Sequence, residues 1–276
     1  MSIINKYNFA VYIHCNRMND IPAKVAKYSF EKQNPGLNVH LEYLEDHPKL
    51  LENHNHYFYR DGVKMQWDTT KHQSFFPVRF LCAESHKAKK RTEKWILVTD
   101  PDIFCLKDLE KLNSYIKKAE EKKSNIIAHG SNSSVMLLNT EKVNWTEDEL
   151  IRDVFKKKAN FDNWMYLNFP KVLTLPGAYN QYDRITKNTA LLHTTKTETQ
   201  PWKTGITYEE WELHNKIRKP NNKKLKFKNH PSRLVRECVF SLFKEAYDNK
   251  IFSLDEIEEA IRDKALRCDI KLVCDL

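Results

Sequence analysis

The stretch Lys94-Trp95-Ile96-Leu97-Val98-Thr99-Asp100-Pro101-Asp102-Ile103-Phe104 decides the expected fold. Its apolar centre is continuous, which is typical of a strand covered on both faces of a parallel sheet. Pro101 cannot donate a ladder hydrogen bond, so the strand is expected to end where the two aspartates begin. The carboxyl edge of such a sheet is where α/β folds bind ligands, and paired carboxylates there suit a hard divalent cation.

An Asp-x-Asp pair also has a simpler interpretation. Asp100 can cap the segment that follows, while Asp102 lies in a solvated turn, and so short a motif often has no further meaning. Two anions this close repel unless a cation or hydrogen-bond donors compensate them. A metal bound by few protein oxygens keeps positions open for phosphates, so the cation interpretation points to a nucleotide-diphosphate site.

Composition narrows the class of protein. The chain has 276 residues, 41% of them hydrophobic, which excludes wholesale disorder and allows one large domain or a medium domain with an appendage. There are only 5 glycines and no Walker or dinucleotide motif, so phosphate recognition is expected from a metal and side chains. The 6 cysteines form no Cys-x-x-Cys pair, which argues against zinc and haem motifs and favours a reducing compartment.

The termini and charge predict a cytoplasmic protein with an anionic partner. The first residues lack the pattern of a signal peptide, and no apolar run is long enough to span a membrane. A formal charge of +9 and a pI near 9.1 favour nucleic acid, an acidic membrane surface or a phosphorylated substrate.

Hydrophobic periodicity predicts an α/β protein. A strand, a helix and a second strand over Phe9–His14, Ala23–Gln33 and Leu37–Leu44 form a βαβ unit with parallel strands. Helices are expected over His72–Ala88, from about Leu109 to Lys123, and over Thr146–Lys157, where Thr146 and Glu149 match a capping box. Further strands, expected to complete the same sheet, are Asn125–His129, Ser134–Asn139, Val172–Leu175 and Ala190–His193.

The last quarter of the chain changes character. Nine lysines or arginines and no acid occur between Lys216 and Arg236. Two helices are expected behind this basic segment, over Ser232–Asn249 and Ser253–Leu266, the second opening with a capping box. The predicted organisation is a catalytic domain over residues 1–206, followed by a basic connector and C-terminal helices over 207–276.

Several short motifs occur together in a characteristic order. They are Arg79, Asp100-x-Asp102, Asn132-Ser133-Ser134-Val135-Met136, Asp162-Asn163, Leu175-Pro176, Tyr179-Asn180 and His193 followed by Pro201-Trp202. This order resembles the glycogenin-like family 8 glycosyltransferases of the GT-A fold, over about residues 9–205. The resemblance implies a Rossmann-like, mixed and mainly parallel sheet flanked by helices, with the C-terminal helices as an appendage.

The resemblance also implies a reaction. It is the transfer of a sugar from a nucleotide-diphosphate donor, a UDP-sugar, with retention of configuration and with Mn²⁺ or Mg²⁺ as cofactor. Asp100, Asp102 and His193 would bind the metal, and manganese accepts such mixed oxygen and imidazole ligands. Asp162 and Asn163 would lie near the transferred sugar or the acceptor, as the catalytic pair.

Six further residues are expected to bind the donor. Arg79 offers a guanidinium fork to phosphate or sugar hydroxyls. Lys196 or Lys203 would contact the diphosphate and stabilise the leaving group. The remaining donor contacts implied by the resemblance are Asn132, Ser133 and Asn180.

The chain departs from the family pattern near several of these positions. Gln200 precedes Pro201 where the family has lysine, and Ser134 replaces a glycine. Bulky Trp164 follows the Asp162-Asn163 pair. The identity of the sugar therefore does not follow from the resemblance.

The sequence is compatible with three hypotheses about function. In the first, the acceptor is a glycan or lipid-linked envelope saccharide, and residues 216–236 touch an anionic membrane at its inner surface. In the second, the same donor chemistry modifies a nucleic acid, DNA or a tRNA base, and the basic segment tracks phosphates. In the third, the chain is a non-catalytic binding module of the same fold. The basic segment also has a simpler interpretation as a solvated linker.

Overall fold

The computed structural model describes residues 6–60, 62–129, 132–157, 159–161, 164–165, 171–207, 209 and 224–276. The strands are β1 (Phe9–Cys15), β2 (Val39–Tyr43), β3 (Tyr57–Arg60), β4 (Val63–Gln66), β5 (Trp95–Thr99), β6 (Ile103–Cys105), β7 (Ile126–His129), β8 (Asn132–Asn139), β9 (Val172–Thr174), β10 (Gln181–Tyr182) and β11 (Leu191–His193). The helices are α1 (Asp20–Gln33), α2 (Pro48–Leu51), α3 (Cys82–Ala88), α4 (Leu112–Glu121), α5 (Glu147–Leu150), α6 (Arg233–Asp248), α7 (Leu254–Arg262) and α8 (Ile270–Cys274).

A six-stranded mixed sheet forms the centre of the fold, in the order β2-β1-β5-β8-β7-β9. β1 is parallel to both β2 and β5, and β7 is parallel to β9, whereas β8 runs antiparallel to its two neighbours. The predicted βαβ unit is confirmed, since β1, α1 and β2 follow one another and the two strands pair in parallel. The α/β class with a mainly parallel sheet is therefore confirmed.

The two faces of the sheet bury separate hydrophobic clusters. On β5, Trp95 and Leu97 belong to the cluster that contains residues of α1, α4 and the C-terminal helices. Ile96 and Val98 point to the opposite face and belong to the other cluster. Because successive side chains of a strand alternate between faces, a strand covered on both sides needs a continuous apolar run.

The last predicted strand lies in a different sheet from the one expected. β11 pairs antiparallel with β6 and parallel with β10, forming a separate three-stranded sheet. The prediction that Ala190–His193 completes the central sheet was wrong, because periodicity describes burial but not the partner of a strand. The pairing places His193 opposite Ile103, next to Asp102.

The helix predicted over His72–Ala88 is also shorter than expected. A 3₁₀ segment covers Phe76–Phe80, and the α-helix begins only at Cys82. Pro77 lacks an amide proton and is tolerated only in the first turn of a helix, so a continuous helix cannot pass through it. Both predicted capping boxes are present, at Thr146 with Glu149 and at Ser253 with Glu256.

The C-terminal helices pack against the body of the sheet. Val235 and Phe243 of α6 share one buried cluster with Phe30 of α1 and with Trp202. The division of the chain at residue 206 stays a prediction. No helix in the described part of the chain combines the length and hydropathy of a membrane span.

Candidate metal centre

The two aspartates lie at the carboxyl end of β5, as expected. The backbone amide of Asp100 donates to the carbonyl of Ser134 in β8 at 3.2 Å. Pro101 follows and interrupts the ladder, and β6 begins at Ile103. The turn between β5 and β6 therefore brings both carboxylates to one edge of the sheet.

His193 completes a cluster with the two carboxylates. Its Nε2 atom lies 3.3 Å from Oδ1 of Asp102 and 4.0 Å from Oδ2 of Asp100. Each of the three residues offers one ligand atom within 4.8 Å of the others. The 5% exposure of His193 places the imidazole in the interior, facing the acids.

Two nitrogen donors face the other oxygen of Asp100. Nε2 of His14 lies 2.9 Å and NH2 of Arg79 lies 3.0 Å from its Oδ1. The contacts are close but lack the alignment of regular hydrogen bonds. Burial raises the pKa of Asp100, but Arg79 and then His14 outweigh it and lower the pKa below its ordinary value. This carboxylate is therefore ionised, and its charge is partly compensated.

Asp102 is contacted from the segment that follows His193. Nε2 of Gln200 donates to its Oδ2 at 2.6 Å. Both the amide and the hydroxyl of Thr194 donate to its backbone carbonyl at 3.1 Å. Its Oδ1 accepts no aligned hydrogen bond within the described residues. That buried oxygen thus faces the cluster without a regular donor.

Asn180 determines which nitrogen of His193 faces the acids. Its Oδ1 lies 2.8 Å from Nδ1 of His193, and because a carbonyl oxygen only accepts, Nδ1 carries a proton. Burial lowers the pKa of His193, but the charges of Asp102 and Asp100 outweigh it and raise the pKa. A divalent cation would displace the proton from Nε2, because metal ligands bind deprotonated.

The donor set fits a divalent cation. Two ligand atoms that each lie about 2.1 Å from one octahedral ion are separated by about 3 to 4.2 Å. The two separations between Nε2 of His193 and the carboxylate oxygens, 3.3 and 4.0 Å, fall within that range. Two carboxylate oxygens and one imidazole nitrogen are a ligand set that Mn²⁺ accepts. Asp100, Asp102 and His193 therefore fit the metal that the sequence predicted.

A cleft of about 220 Å³ opens beside the cluster. Besides the three cluster residues, its lining includes Arg60, Gln73, Phe75, Phe76, Arg79, Ser134, Thr195 and Thr197. A larger cleft of about 370 Å³ lies between α1 and α7. We place the site at the smaller one because the three ligand atoms converge there.

A mixed sheet with one reversed strand carries this Asp-x-Asp and histidine cluster at its carboxyl edge. The fold resembles that of the GT-A glycosyltransferases. No protein-family model matches the chain, and no curated protein matches it.

Several solved structures of glycosyltransferases are similar to this chain, and each likeness is one of fold alone. An active-site mutant of LgtC has 11% identity and a TM-score of 0.44, with 70% of this chain and 89% of that chain covered. GlyE of Streptococcus pneumoniae TIGR4 has 14% identity and a TM-score of 0.49, with 88% and 64% covered. Mouse xyloside xylosyltransferase 1 has 11% identity and a TM-score of 0.43, with 68% and 98% covered.

The residues expected to bind the donor occupy different positions around the cluster of Asp100, Asp102 and His193. Arg79 lines the cleft and donates from NH1 to Oγ of Ser133 at 2.9 Å. Asn180 contacts Nδ1 of His193, on the side of the imidazole away from the two carboxylates. The donor-binding roles of these three residues stay predictions.

The two lysines considered for the diphosphate differ in burial. Lys196 is exposed, whereas Lys203 is buried. Burial lowers the pKa of Lys203 well below its ordinary value, although nearby Asp102 opposes the shift. Asp162 and Asn163 lie outside the described residues, as does the side chain of Asn132 within β8.

Sequence reasoning did not find His14. In the parallel pairing of β1 with β5, Ile13 is opposite Thr99, so the next residues along the two strands are His14 and Asp100. A polar residue at the carboxyl end of the strand next to the Asp-x-Asp strand was the available signal. Using it required the strand order, which periodicity does not provide.

Only part of the basic segment is described. Lys224, Lys226 and Lys228 are exposed, and Arg233 forms a surface ion pair with Glu237 at 2.6 Å. The other basic residues of its first part, Lys216, Arg218, Lys219 and Lys223, lie outside the described ranges. Contact with a membrane or a nucleic acid stays a prediction.

Proposed function

We propose that this protein is a metal-dependent glycosyltransferase that uses a nucleotide-diphosphate sugar. The observation that carries the proposal is the convergence of Asp100, Asp102 and His193 within 4.8 Å at the carboxyl edge of the sheet. The cluster supplies three ligand atoms, and a six-coordinate ion then keeps positions for the oxygens of a diphosphate. The sequence motifs that resemble family 8 enzymes point to the same chemistry.

The metal would neutralise charge on the diphosphate as its bond to the sugar breaks. Asp100, Asp102 and His193 would bind the ion from the protein side. Arg79, which lines the same cleft, is placed to offer donors to phosphate or sugar oxygens. Asn180 would keep the imidazole of His193 in the tautomer that leaves Nε2 for the metal.

The finer assignments rest on the sequence resemblance. We propose a UDP-sugar as donor, Mn²⁺ or Mg²⁺ as cofactor, and transfer with retention to a glycan or lipid-linked saccharide. In this assignment Asp162 and Asn163 lie near the transferred sugar.

A donor screen tests the proposal. The chain is mixed with a panel of nucleotide sugars, with and without Mn²⁺, and both the melting temperature and the release of nucleoside diphosphate are measured. We expect one donor to raise the melting temperature and to be hydrolysed slowly, in both cases only with Mn²⁺. The Asp102→Asn variant should lose both effects, because it removes a charged ligand of the metal.

Asp148→Asn is the matched control, because Asp148 is exposed and its ion pair with Lys49 lies at the surface. It should respond to donor and Mn²⁺ as the unchanged chain does. The proposal fails if no nucleotide sugar binds and if Asp102→Asn leaves the affinity for Mn²⁺ unchanged.

A further inference from the structure

Gln200 forms a hydrogen bond with Asp102, one of the three residues of the candidate metal centre. Its Nε2 atom donates to Oδ2 of Asp102 at 2.6 Å. The other carboxylate oxygen, Oδ1, faces Nε2 of His193 at 3.3 Å. The amide thus contacts one oxygen from behind and leaves the other directed into the cluster.

The side chain of Gln200 is fixed in this orientation. It is only 3% exposed, and its Nε2 also donates to the carbonyl of Thr194 at 2.8 Å. Both neighbours of this atom are oxygens that accept, so the amide nitrogen and not the amide oxygen must lie here. Its two amide protons are therefore both used, and the side chain cannot turn without losing buried hydrogen bonds.

The backbone around Gln200 restricts its position as well. The amide of Lys203 donates to the carbonyl of Gln200 at 2.9 Å. Thr194, which accepts from the Gln200 side chain, also donates to the carbonyl of Asp102. Gln200, Thr194 and Asp102 thus form a closed set of hydrogen bonds directly behind the cluster.

The chemical type of the side chain matters because of its charge. A lysine at position 200 would bring an ammonium group into contact with Asp102 and offset the charge that attracts a cation. A neutral amide orients the carboxylate and leaves its full negative charge. Residues that orient metal ligands in this way typically change metal affinity about 10- to 100-fold when replaced.

We propose that Gln200 is a positioning residue of the metal centre, which directs Oδ1 of Asp102 to a divalent cation without neutralising the carboxylate. The inference rests on the proposed function, since it needs a cation at the cluster. It assigns to Gln200 a role that differs from phosphate binding by a lysine.

Direct measurement of Mn²⁺ binding to the full chain tests this role without any substrate. Free Mn²⁺ is followed by electron paramagnetic resonance for the unchanged chain, Gln200→Met, Gln200→Lys and Asp102→Asn. Methionine has nearly the same length but donates no hydrogen bond, so we expect the dissociation constant to rise about 10- to 100-fold. Gln200→Lys keeps a donor but adds a charge, so its loss should exceed that of Gln200→Met.

Gln33→Met is the matched control, because Gln33 is a partly exposed residue at the end of α1, and it should bind Mn²⁺ as the unchanged chain does. Circular dichroism checks that each variant is folded. If Gln200→Met does not fold, the test rests on Gln200→Lys, which retains a hydrogen-bond donor. An Mn²⁺ affinity of Gln200→Lys equal to that of the unchanged chain would then overturn the proposal.

The outcomes separate the two proposals. If the unchanged chain binds Mn²⁺ and Asp102→Asn does not, while Gln200→Met binds as tightly as the unchanged chain, the role of Gln200 is refuted and the metal centre stands. If the unchanged chain binds no Mn²⁺, the proposed function itself fails. A shift in melting temperature without a change in Mn²⁺ affinity would identify Gln200 as a structural residue only.

Discussion

At the scale of single residues, the site consists of anions whose charge is only partly balanced. Arg79 is buried and lies 3.0 Å from Asp100, while Asp102 receives a neutral amide. Of the two carboxylates, only Asp100 therefore has an arginine within ion-pair distance among the described residues. A divalent cation would supply the positive charge that the cluster still lacks.

Replacement of Arg79 tests this balance. Arg79→Met leaves Asp100 buried without its guanidinium, and breaking a buried ion pair from one side costs about 3 to 5 kcal/mol. A cation at the cluster would restore part of the lost compensation, so Mn²⁺ should raise the melting temperature of the variant more than that of the unchanged chain. Thermal unfolding with and without Mn²⁺ measures both effects.

The control for Arg79 is Arg233→Met, since Arg233 is 82% exposed in its side chain and pairs with Glu237 at the surface. It should change stability by less than about 1 kcal/mol. If Mn²⁺ raised the melting temperatures of Arg79→Met and of the unchanged chain by the same amount, the charge-compensation argument would be contradicted.

At the scale of elements, a buried carboxylate joins β2 to α3. Glu42 of β2 accepts from Oγ of Ser85 at 2.5 Å and from Nζ of Lys89 at 2.8 Å. Burial raises the pKa of Glu42, but these hydrogen bonds and the contact with His47 outweigh it and lower the pKa to about 2. The strand and helix are therefore held together by an ionised group.

The stability from Glu42 should depend on pH. Since the pKa is lowered on folding from its ordinary 4.5 to about 2, the contribution is complete above pH 4.5 and is lost as the pH falls towards 2. Glu42→Gln should lower the free energy of unfolding by about 3 kcal/mol at pH 7, and by progressively less below pH 4.5. Urea unfolding at several pH values measures the difference, with Glu258→Gln at an exposed ion pair as control. A pH-independent difference would refute the role of ionisation.

At the scale of the whole molecule, the C-terminal helices and the sheet share one core. Phe243 of α6 is fully buried and lies 6.2 Å from Trp202, ring centre to ring centre. Trp202 is two residues from Gln200, so the appendage packs directly behind the segment that contacts Asp102. We therefore expect the C-terminal helices and the sheet to unfold together.

Phe243→Ala tests this shared core. Loss of a fully buried phenylalanine costs about 3 to 5 kcal/mol, and tryptophan fluorescence and circular dichroism should still report one common transition. Leu272→Ala is the control in the same region, since Leu272 is 82% exposed. Two separate transitions, of which only one moves in Phe243→Ala, would show that the helices fold as an independent unit.

The sequence predicted features that depend on neighbouring residues better than contacts between residues far apart in the chain. The β5 strand, the end of that strand at Asp100 and both capping boxes follow from nearby residues and were predicted. The pairing of β11 with β6 and β10 was not predicted. The contacts of His14 with Asp100 and of Gln200 with Asp102 were not predicted either. The residues of these two contacts are 86 and 98 positions apart in the sequence, respectively.

The sequence by itself determined the α/β class, the position of the Asp-x-Asp pair at the end of a buried strand, and the grouping of His193 with that pair. Burial pattern, turn chemistry and motif order are all properties of the chain. Only the tertiary structure decided which atom of each of the three side chains faces the cluster. Strand order places His14 and Arg79 against Asp100, and the fold of residues 194–200 places Gln200 against Asp102. The physical reason is that side-chain orientation depends on neighbours distant in sequence, and no local pattern encodes those neighbours.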